Sequence, residues 1–344
     1  MTKLRYGLAG VLPEAGSFML GTFLLFTFTE MGLSPWLISA VFVLDGLLEM
    51  VADPIVGMIS DRSRCRWGRR RPFMWAAAIV APLALFGNFS GWLWCVPIWT
   101  LVWSFSATPY NALARALTED KNEIVDLMVW RSWITKIAII GTVISFPLIS
   151  ERIGAPLAAL VLGLLASLSM VFTPKEKWKP TTNTGSKIWS PIKNKMFRTF
   201  LVRVIPGNAM IAILVPMVPF VYGGDKAGYV LGGIIALVAV LSPLAGRMEK
   251  RIGPEKLIFW SSGFLLAAML LTPFVSEYYL LAGITLAILA SIGGAGVTIG
   301  TWSYLAMIQP FSEEGAYAGA YKFFTKMIDN LAIVYLAHLF AKRG

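Results

Sequence analysis

Charge is what this chain has least of. Asp, Glu, Lys and Arg together make up 14% of 344 residues, where soluble globular proteins carry about 25%. A water-soluble fold of two or three domains is excluded on that ground. Cysteine is nearly absent: Cys65 and Cys95 are the only two, and they fall at opposite ends of one predicted helix, so neither a disulfide framework nor a cysteine metal cluster is expected. One histidine, His338, removes most metal and triad chemistry. There is no phosphate-cradling glycine loop, no H-E-x-x-H and no G-x-S-x-G. The sequence therefore gives no nucleophile–base pair, and no enzyme and no cofactor is expected. No A-x-A-like site follows the apolar stretch that begins near Val11, so no cleaved signal peptide is expected.

Apolar residues fill the space that charge leaves. They make up 57% of the chain, and the mean hydropathy is +0.68, too apolar for disorder. A bilayer core takes ~20 largely apolar residues per helix. Eleven stretches qualify: 11–29, 36–59, 72–89, 93–113, 128–149, 155–172, 199–221, 229–245, 257–275, 279–307 and 316–341. The fold class is an all-α polytopic membrane protein. The tenth stretch holds Gly293, Gly294, Gly296 and Gly300 and is expected to bend or tilt.

The net charge of +11 is concentrated in alternate loops. Lys3 and Arg5, the run from Arg62 to Arg71, Arg115 and Lys121, the lysines of 175–195, and Arg247 to Lys256 share one side; Arg152 and Lys226 hold the other. Positive loops stay inside, which predicts a cytoplasmic N-terminus in a plasma-membrane protein and no nucleic-acid partner. Eleven spans would then place Lys342 and Arg343 outside, against the rule, as if a twelfth helix were missing. The polar stretch after the sixth span divides the chain into an N-terminal six-helix bundle (1–173), a cytoplasmic linker (174–195) and a C-terminal five-helix bundle (196–344). A repeat supports the division. Gly57-x-x-x-Asp61-Arg62 follows the second span, and Gly246-Arg247-Met248-Glu249-Lys250-Arg251 follows the eighth, the second of its half.

Within the spans, charge is expensive, at ~2.5–3.5 kcal/mol per residue on the insertion scale. The second span nevertheless carries Asp45, Glu49 and Asp53, spaced i, i+4, i+8 on one face. Together they would cost about 8–10 kcal/mol if charged and unpaired, so the stripe should face a wet cavity. Glu14 and Asp329 add two acids; Arg131, Lys136 and Lys326 are the candidate bases. Five acids against three bases suit a site that takes up a cation. Lys326 could compete with that cation for the carboxylates, or pair locally with Asp329.

The run Asp53-Pro54-Ile55-Val56-Gly57…Ser60-Asp61-Arg62-Ser63-Arg64…Arg66-Trp67-Gly68-Arg69-Arg70-Arg71-Pro72 resembles the major facilitator superfamily. More closely it is similar to the glycoside–pentoside–hexuronide:cation symporters. Tyr6-Gly7, Thr29-Glu30…Gly32-Leu33-Ser34-Pro35, Pro109-Tyr110-x-Ala112-Leu113 and Glu314-Gly315 follow in order. The resemblance implies a major facilitator fold of two pseudo-symmetric helical bundles and symport of a sugar or glycoside with H+ or Na+. It implies a coupling cation, including a possible Na+, at Glu49 and Asp53, with the hydroxyl of Ser104 beside it. Lys326, twelve residues after Glu314, would couple the sites with Asp45. Glu14 and Arg131 would contact the sugar. Asn111 stands where the family has an aromatic that stacks on sugar, Ala107 where it has a second sugar-binding acid, and Ala52 where it has a sodium-ligating asparagine. Sodium wants several oxygen ligands and a proton needs one carboxylate, so the departures lean towards protons and away from a melibiose-like galactoside.

Asp61, Arg62 and Arg69 are the expected gate, pairing across the cytoplasmic side in one state and parting in the other. Trp36, Trp92, Trp94 and Trp99 are expected as interface anchors. Asn88-Phe89-Ser90 fits a glycosylation sequon by chance. The expected partners are a small solute and the bilayer, with the chain a monomer. Two other readings of the same residues are an exporter of amphipathic compounds driven by protons and a truncated, non-transporting subunit or sensor.

Overall fold

The computed structural model describes residues 1–176, 190–222, 224–274, 280–310 and 313–341. Among these, eleven long helical segments account for the eleven expected spans. They are α1 (Thr2–Glu30), α2 (Pro35–Arg62), α3 (Arg71–Phe89), α4 (Cys95–Leu117), α5 (Lys121–Ile153) and α6 (Ala155–Phe172). After a single turn at Ser190–Lys193 come α7 (Lys195–Tyr222), α8 (Gly224–Ile252), α9 (Pro254–Leu271), α10 (Leu280–Ile308) and α11 (Glu314–Ala341). No strand occurs among the described residues. Most of the expected linker, 177–189, lies outside them.

Local signals set the ends. Ser34 caps α2 by accepting from the Leu37 N–H, with Pro35 in the first turn, where its missing N–H costs nothing. The Asp120 side chain accepts from Asn122 N at the start of α5. Gly154 and Gly253, with φ of 85° and 82°, make the sharp corners into α6 and α9, which a side chain would resist. The helices overrun the expected spans at their polar ends. Thus α1 starts at Thr2 instead of Val11, and α5 begins at Lys121. Lys3 of α1 and Asp126 of α5 meet in an ion pair at 2.7 Å in that extra length. A π-helical turn at Leu20–Leu24 interrupts α1.

Eight described helices are long and apolar enough to cross a bilayer by composition alone; α2 and α4 are not among them. Their polar content marks them as the helices that turn a face to the interior. α2 packs on α4 and α11, and α5 packs on α1 and α8. The two pairs α2–α11 and α5–α8 join the first six helices to the last five. The α5–α8 contact carries a hydrogen bond between the hydroxyls of Ser132 and Ser242, 2.7 Å apart.

The α2–α11 contact is tighter. A Cβ on Gly57 would overlap the Gly315 carbonyl, and one on Gly319 would lie 2.5 Å from the Asp53 carbonyl oxygen. The two backbones touch there, and only glycine permits it. The glycines of α10 do similar work. A Cβ on Gly293 would meet Leu265 at 2.6 Å and one on Gly300 would meet Ile258 at 2.8 Å, both on α9. α10 runs unbroken from Leu280 to Ile308, so these glycines permit close packing without interrupting the helix.

One smaller expectation is corrected and another agrees with the structure. Trp99 is buried, its ring lying where a Cβ on Gly16 would sit, while Trp36, Trp92 and Trp94 are exposed. Asn88 is fully buried and its Nδ2 donates to the carbonyls of Ala84 and Cys95 at 2.8 and 3.2 Å, so the sequon is closed to modification in this fold.

Substituting Gly57→Ala forces a methyl group into the α2–α11 contact. The expected cost is roughly 1–3 kcal/mol, read as a lowered midpoint in thermal unfolding of the purified protein in detergent. An unchanged midpoint would mean that the two backbones do not touch.

Candidate functional site

A cavity of about 480 Å³ lies at the centre, lined by residues from α1, α2, α4, α5, α7, α10 and α11. That size falls within the usual range for a small-molecule site, about 300–1,000 Å³. Glu14, Glu49, Asn111, Arg131 and Lys326, all expected at the site, line it. So does Lys322, which sequence reasoning missed.

Two acid–lysine rungs cross from α2 to α11. Lys326 Nζ lies 2.9 Å from Glu49 Oε2. Lys322 Nζ lies 3.0 Å from Asp53 Oδ2 and donates to Oδ1 at 3.1 Å. Acids four residues apart on one helix thus meet lysines four residues apart on the other, in opposite order, as antiparallel helices require. The backbone contact at Gly319 sets this register, because Lys322 follows one turn later. Each carboxylate has a further donor from α4. Trp103 Nε1 donates to Glu49 Oε1 at 2.5 Å, and Thr108 Oγ1 donates to Asp53 Oδ1 at 2.7 Å. Lys322 Nζ also sits 4.8 Å above the Trp103 ring, a cation–π contact. Glu49 and Asp53 are both buried, Asp53 completely.

Lys322 reduces the expected surplus of acid to five against four and makes this four-group cluster neutral as paired. The expected hydroxyl is corrected too. Ser104 is fully buried and its oxygen has no hydrogen-bond partner; the hydroxyl on Asp53 belongs to Thr108, one turn further along α4. Asp45 takes a hydrogen bond from Thr100 and is not among the cavity-lining residues. The side chain of Asp329 lies outside the described residues, so its pairing with Lys326 is not described, and the same holds for His338. Lys322 had a signal in the sequence, an i, i+4 spacing to Lys326 that copies Glu49 to Asp53.

On the opposite wall, Arg131 Nη2 donates to Glu14 Oε1 at 2.7 Å. The guanidinium lies between two rings, 4.9 Å from the centre of Tyr110 and 4.5 Å from that of Trp302. Its Nη1 is buried without a hydrogen-bond partner, as is Asn111 Oδ1. A donor and an acceptor thus stand unsatisfied in the walls of one cavity. Tyr110 is stacked on Tyr6, ring centres 4.9 Å apart, which fixes the guanidinium plane from behind. Lys136, the other base expected on α5, is half-buried.

The end of the bundle that carries the N-terminus is closed by a second charge cluster. Asp61, at the end of α2, accepts from the first N–H groups of α11, Gly315 N on Oδ1 and Ala316 N on Oδ2, both at 2.9 Å. A carboxylate on a helix N-terminus is stabilised by the dipole and satisfies donors that otherwise have no partner. Arg70 is fully buried and joins three carboxylates: Asp61 at 3.1 Å, Glu314 at 3.0 Å and Glu176 at 3.1 Å. Arg69 contacts Glu314 at 3.3 Å and Glu176 at 3.4 Å. Burial opposes the charge of Arg70, but Glu314, Glu176 and Asp61 outweigh it and hold its pKa above the ordinary value. Arg62, expected in this gate, is exposed; the central base is Arg70. Glu176 was not legible as a member, since it sits in the polar stretch taken as linker. A smaller cluster ties α8 to α5, where Lys250 and Lys3 share Asp126.

A family model described as MFS/sugar transport protein matches residues 5–341. The putative glycoside/cation symporter YagG of Escherichia coli (strain K12) is 32% identical over 218 residues, 56% of this chain and 46% of YagG. The inner membrane symporter YicJ of the same organism is 24% identical over 310 residues, 79% of this chain and 65% of YicJ. The match thus spans about half of YagG and just under two thirds of YicJ. Among solved structures, a bacterial homologue of the iron transporter ferroportin in its outward-facing state superposes with a TM-score of 0.72 at 14% identity, covering 96% of this chain and 91% of that one. The outward conformation of the major facilitator transporter FucP gives 0.71 at 12% identity, covering 98% and 90%. At such identities these likenesses show the fold alone.

Arg70→Leu would leave Asp61, Glu176 and Glu314 facing one another without their shared base. Breaking a buried ion network by removing one partner costs about 3–5 kcal/mol. Thermal unfolding should show a marked loss for Arg70→Leu and none for Arg64→Ala, an exposed arginine of the same loop; equal effects would place the cluster elsewhere.

Proposed function

The chain belongs to the MFS/sugar transport protein family, and from that premise we propose that it is a secondary active transporter that carries a sugar or glycoside together with a cation by alternating access. The observation that carries this reading is the central cavity in which both ion-pair systems meet: Glu14 with Arg131 on one wall, Glu49 with Lys326 on the other. A hydroxyl-rich solute suits the first wall. Carboxylate oxygens and guanidinium N–H groups are opposite halves of the hydrogen bonds a sugar hydroxyl makes, and the half-buried ring of Trp302 on the cavity wall suits the apolar face of a pyranose.

The coupling ion enters at the second wall. Glu49 and Asp53 are held by lysines in the geometry described. A cation that neutralises a carboxylate releases its lysine, and the lysine recaptures the carboxylate when the cation leaves. The empty carrier then reorients without a stranded buried charge, which is the condition for coupling. Asp61, Arg69 and Arg70 act as the gate. We read the positive loops as cytoplasmic, which turns the closed end to the cytoplasm, as in an outward-facing carrier. Residues 1–173 and 196–344 are the two rocking units in a plasma-membrane monomer, with the N-terminus inside. The match of helix pairs α2–α11 and α5–α8 at the junction supports that division.

Reconstitution into liposomes tests the function. Under an imposed proton or sodium gradient, a panel of mono- and disaccharides and glycosides should include one that accumulates. Asp53→Asn should abolish accumulation and leave exchange of that solute across the membrane. Gradient-driven accumulation by the variant at the wild-type level would overturn the assignment of the coupling site.

A further inference from the structure

The ligand environment of Asp53 says which cation the site accepts. We propose that Lys322 is a built-in counter-ion that occupies the place of an alkali cation at Asp53, so that the carrier responds to protons and is indifferent to Na+ and Li+. This deepens the symport reading and rests on it.

An alkali ion needs several oxygen lone pairs converging on one point. Around Asp53 and Glu49 the neighbours are donors instead. Asp53 Oδ1 accepts from Thr108 Oγ1 and Lys322 Nζ, and Oδ2 is 3.0 Å from the same ammonium. Glu49 accepts from the indole N–H of Trp103, and its other oxygen contacts Lys326 Nζ. Indole nitrogen and ammonium have no lone pair to give a metal ion. The residue before Asp53 is Ala52, which brings no side-chain oxygen. Thr108, the neutral oxygen that bonds Asp53, lies 3.4 Å from Lys322 Nζ and is shared with it.

The charge balance points the same way. The groups that face Asp53 and Lys322 are Glu49 on α2, Lys326 on α11, and Glu14 with Arg131 across the cavity; α4 contributes Trp103 and Thr108, α7 contributes Asn208 and α10 contributes Trp302. With Asp53 and Lys322 counted in, these are three acids and three bases, a balanced set among the described residues. Adding Na+ beside Asp53 sets it against a buried ammonium whose stem can swing but keeps the charge in the cavity, so the two cations stay together. A proton escapes that conflict, because it binds one lone pair on a carboxylate and takes no space. Lys322 is thereby a specificity-determining residue for the coupling ion. Sequence alone would place it one turn from the site lysine without revealing its partner.

Equilibrium ion binding tests this apart from transport. Purified wild type is compared in NaCl, LiCl and choline chloride of equal ionic strength, by thermal midpoint and by binding of radiolabelled sodium. The wild type should show the same midpoint in all three salts and no saturable sodium binding. Lys322→Thr, which exchanges the ammonium for an oxygen ligand, should gain sodium binding and a midpoint roughly 2–4 °C higher in NaCl than in choline chloride. The double variant Asp53→Asn with Lys322→Thr should lose both gains. Saturable sodium binding by the wild type overturns the assignment of Lys322 and leaves cation-coupled symport standing. If Lys322→Thr folds only in NaCl, the proposal is supported; if it collapses equally in both salts, or folds without binding sodium, it is overturned. Liposomes that accumulate no solute under either gradient would sink the symport reading, while the binding comparison would still decide the role of Lys322.

Discussion

The contact between α2 and α11 is the constraint on which everything else depends. Their backbones touch at Gly57, Gly315 and Gly319, and from that approach three consequences follow along one seam. Asp61 reaches the N-terminus of α11. One turn beyond Gly319, Lys322 meets Asp53, and one turn further Lys326 meets Glu49. A seam loosened by a single methyl group would move all three at once, because the charges lie on the same two rods. The buried cluster around Asp61 and the two acid–lysine pairs are therefore mechanically one object. This is what a coupled carrier needs: the protonation state of a mid-membrane acid and the closure of a distant end must be read by the same element.

Energetics explain why the closed end is held by buried networks and not by surface pairs. An exposed ion pair contributes little, about 0–1 kcal/mol, and could not bias a helix bundle. The Arg70 cluster is buried, so its partners are strongly held while together and costly to separate singly. It will part as a unit or not at all, which gives two states instead of a continuum. The pseudo-symmetric contact, α5 on α8, is built differently. There Asp126 is shared by Lys3 and Lys250, all three partly exposed, and a buried hydroxyl pair, Ser132 with Ser242, replaces charge. One junction latches and the other pivots more freely. The repeat in the sequence, Gly57 to Arg62 and Gly246 to Arg251, shows where the two junctions lie but not this difference in strength.

Much of the architecture was legible because bilayer physics leaves few choices. Eleven apolar stretches became eleven helices, and the three acids of α2 fell on one face. The ends were misjudged wherever a helix runs on into water. Lys3 and Asp126 look like loop charges in a hydropathy profile, yet they lie on helices that continue beyond the apolar core. Partnership was the least legible property. Periodicity places Lys322 on a face but says nothing of which helix stands opposite, so its pairing with Asp53 needed the crossing of α11 on α2. Arg70 could not be told from Arg62, Arg64 or Arg66 in an arginine-rich loop; only burial separates the one that joins three carboxylates from those that face solvent. Glu176 was hidden for the converse reason, a polar residue in a polar segment that folds back into the bundle.

The two walls of the cavity differ in kind, and the difference bears on how solute and ion communicate. Arg131 is fixed on several sides, by Glu14, Tyr110 and Trp302, so it is a rigid, permanently charged fork. Lys322 and Lys326 carry their charge on flexible stems and can swing as a carboxylate is neutralised. In the proposed carrier, a solute that binds the rigid wall and reaches across the cavity would meet lysines whose position depends on protonation. Its affinity is then linked to the ion without direct contact between the two, and the linkage runs equally in both directions. Placing rigid recognition on α5 and mobile charge on α11 also separates them onto the two sides of the junction. Closing the cavity around a solute draws these elements together, and the lysines then settle against solute or carboxylate according to which of the two still carries a free acceptor.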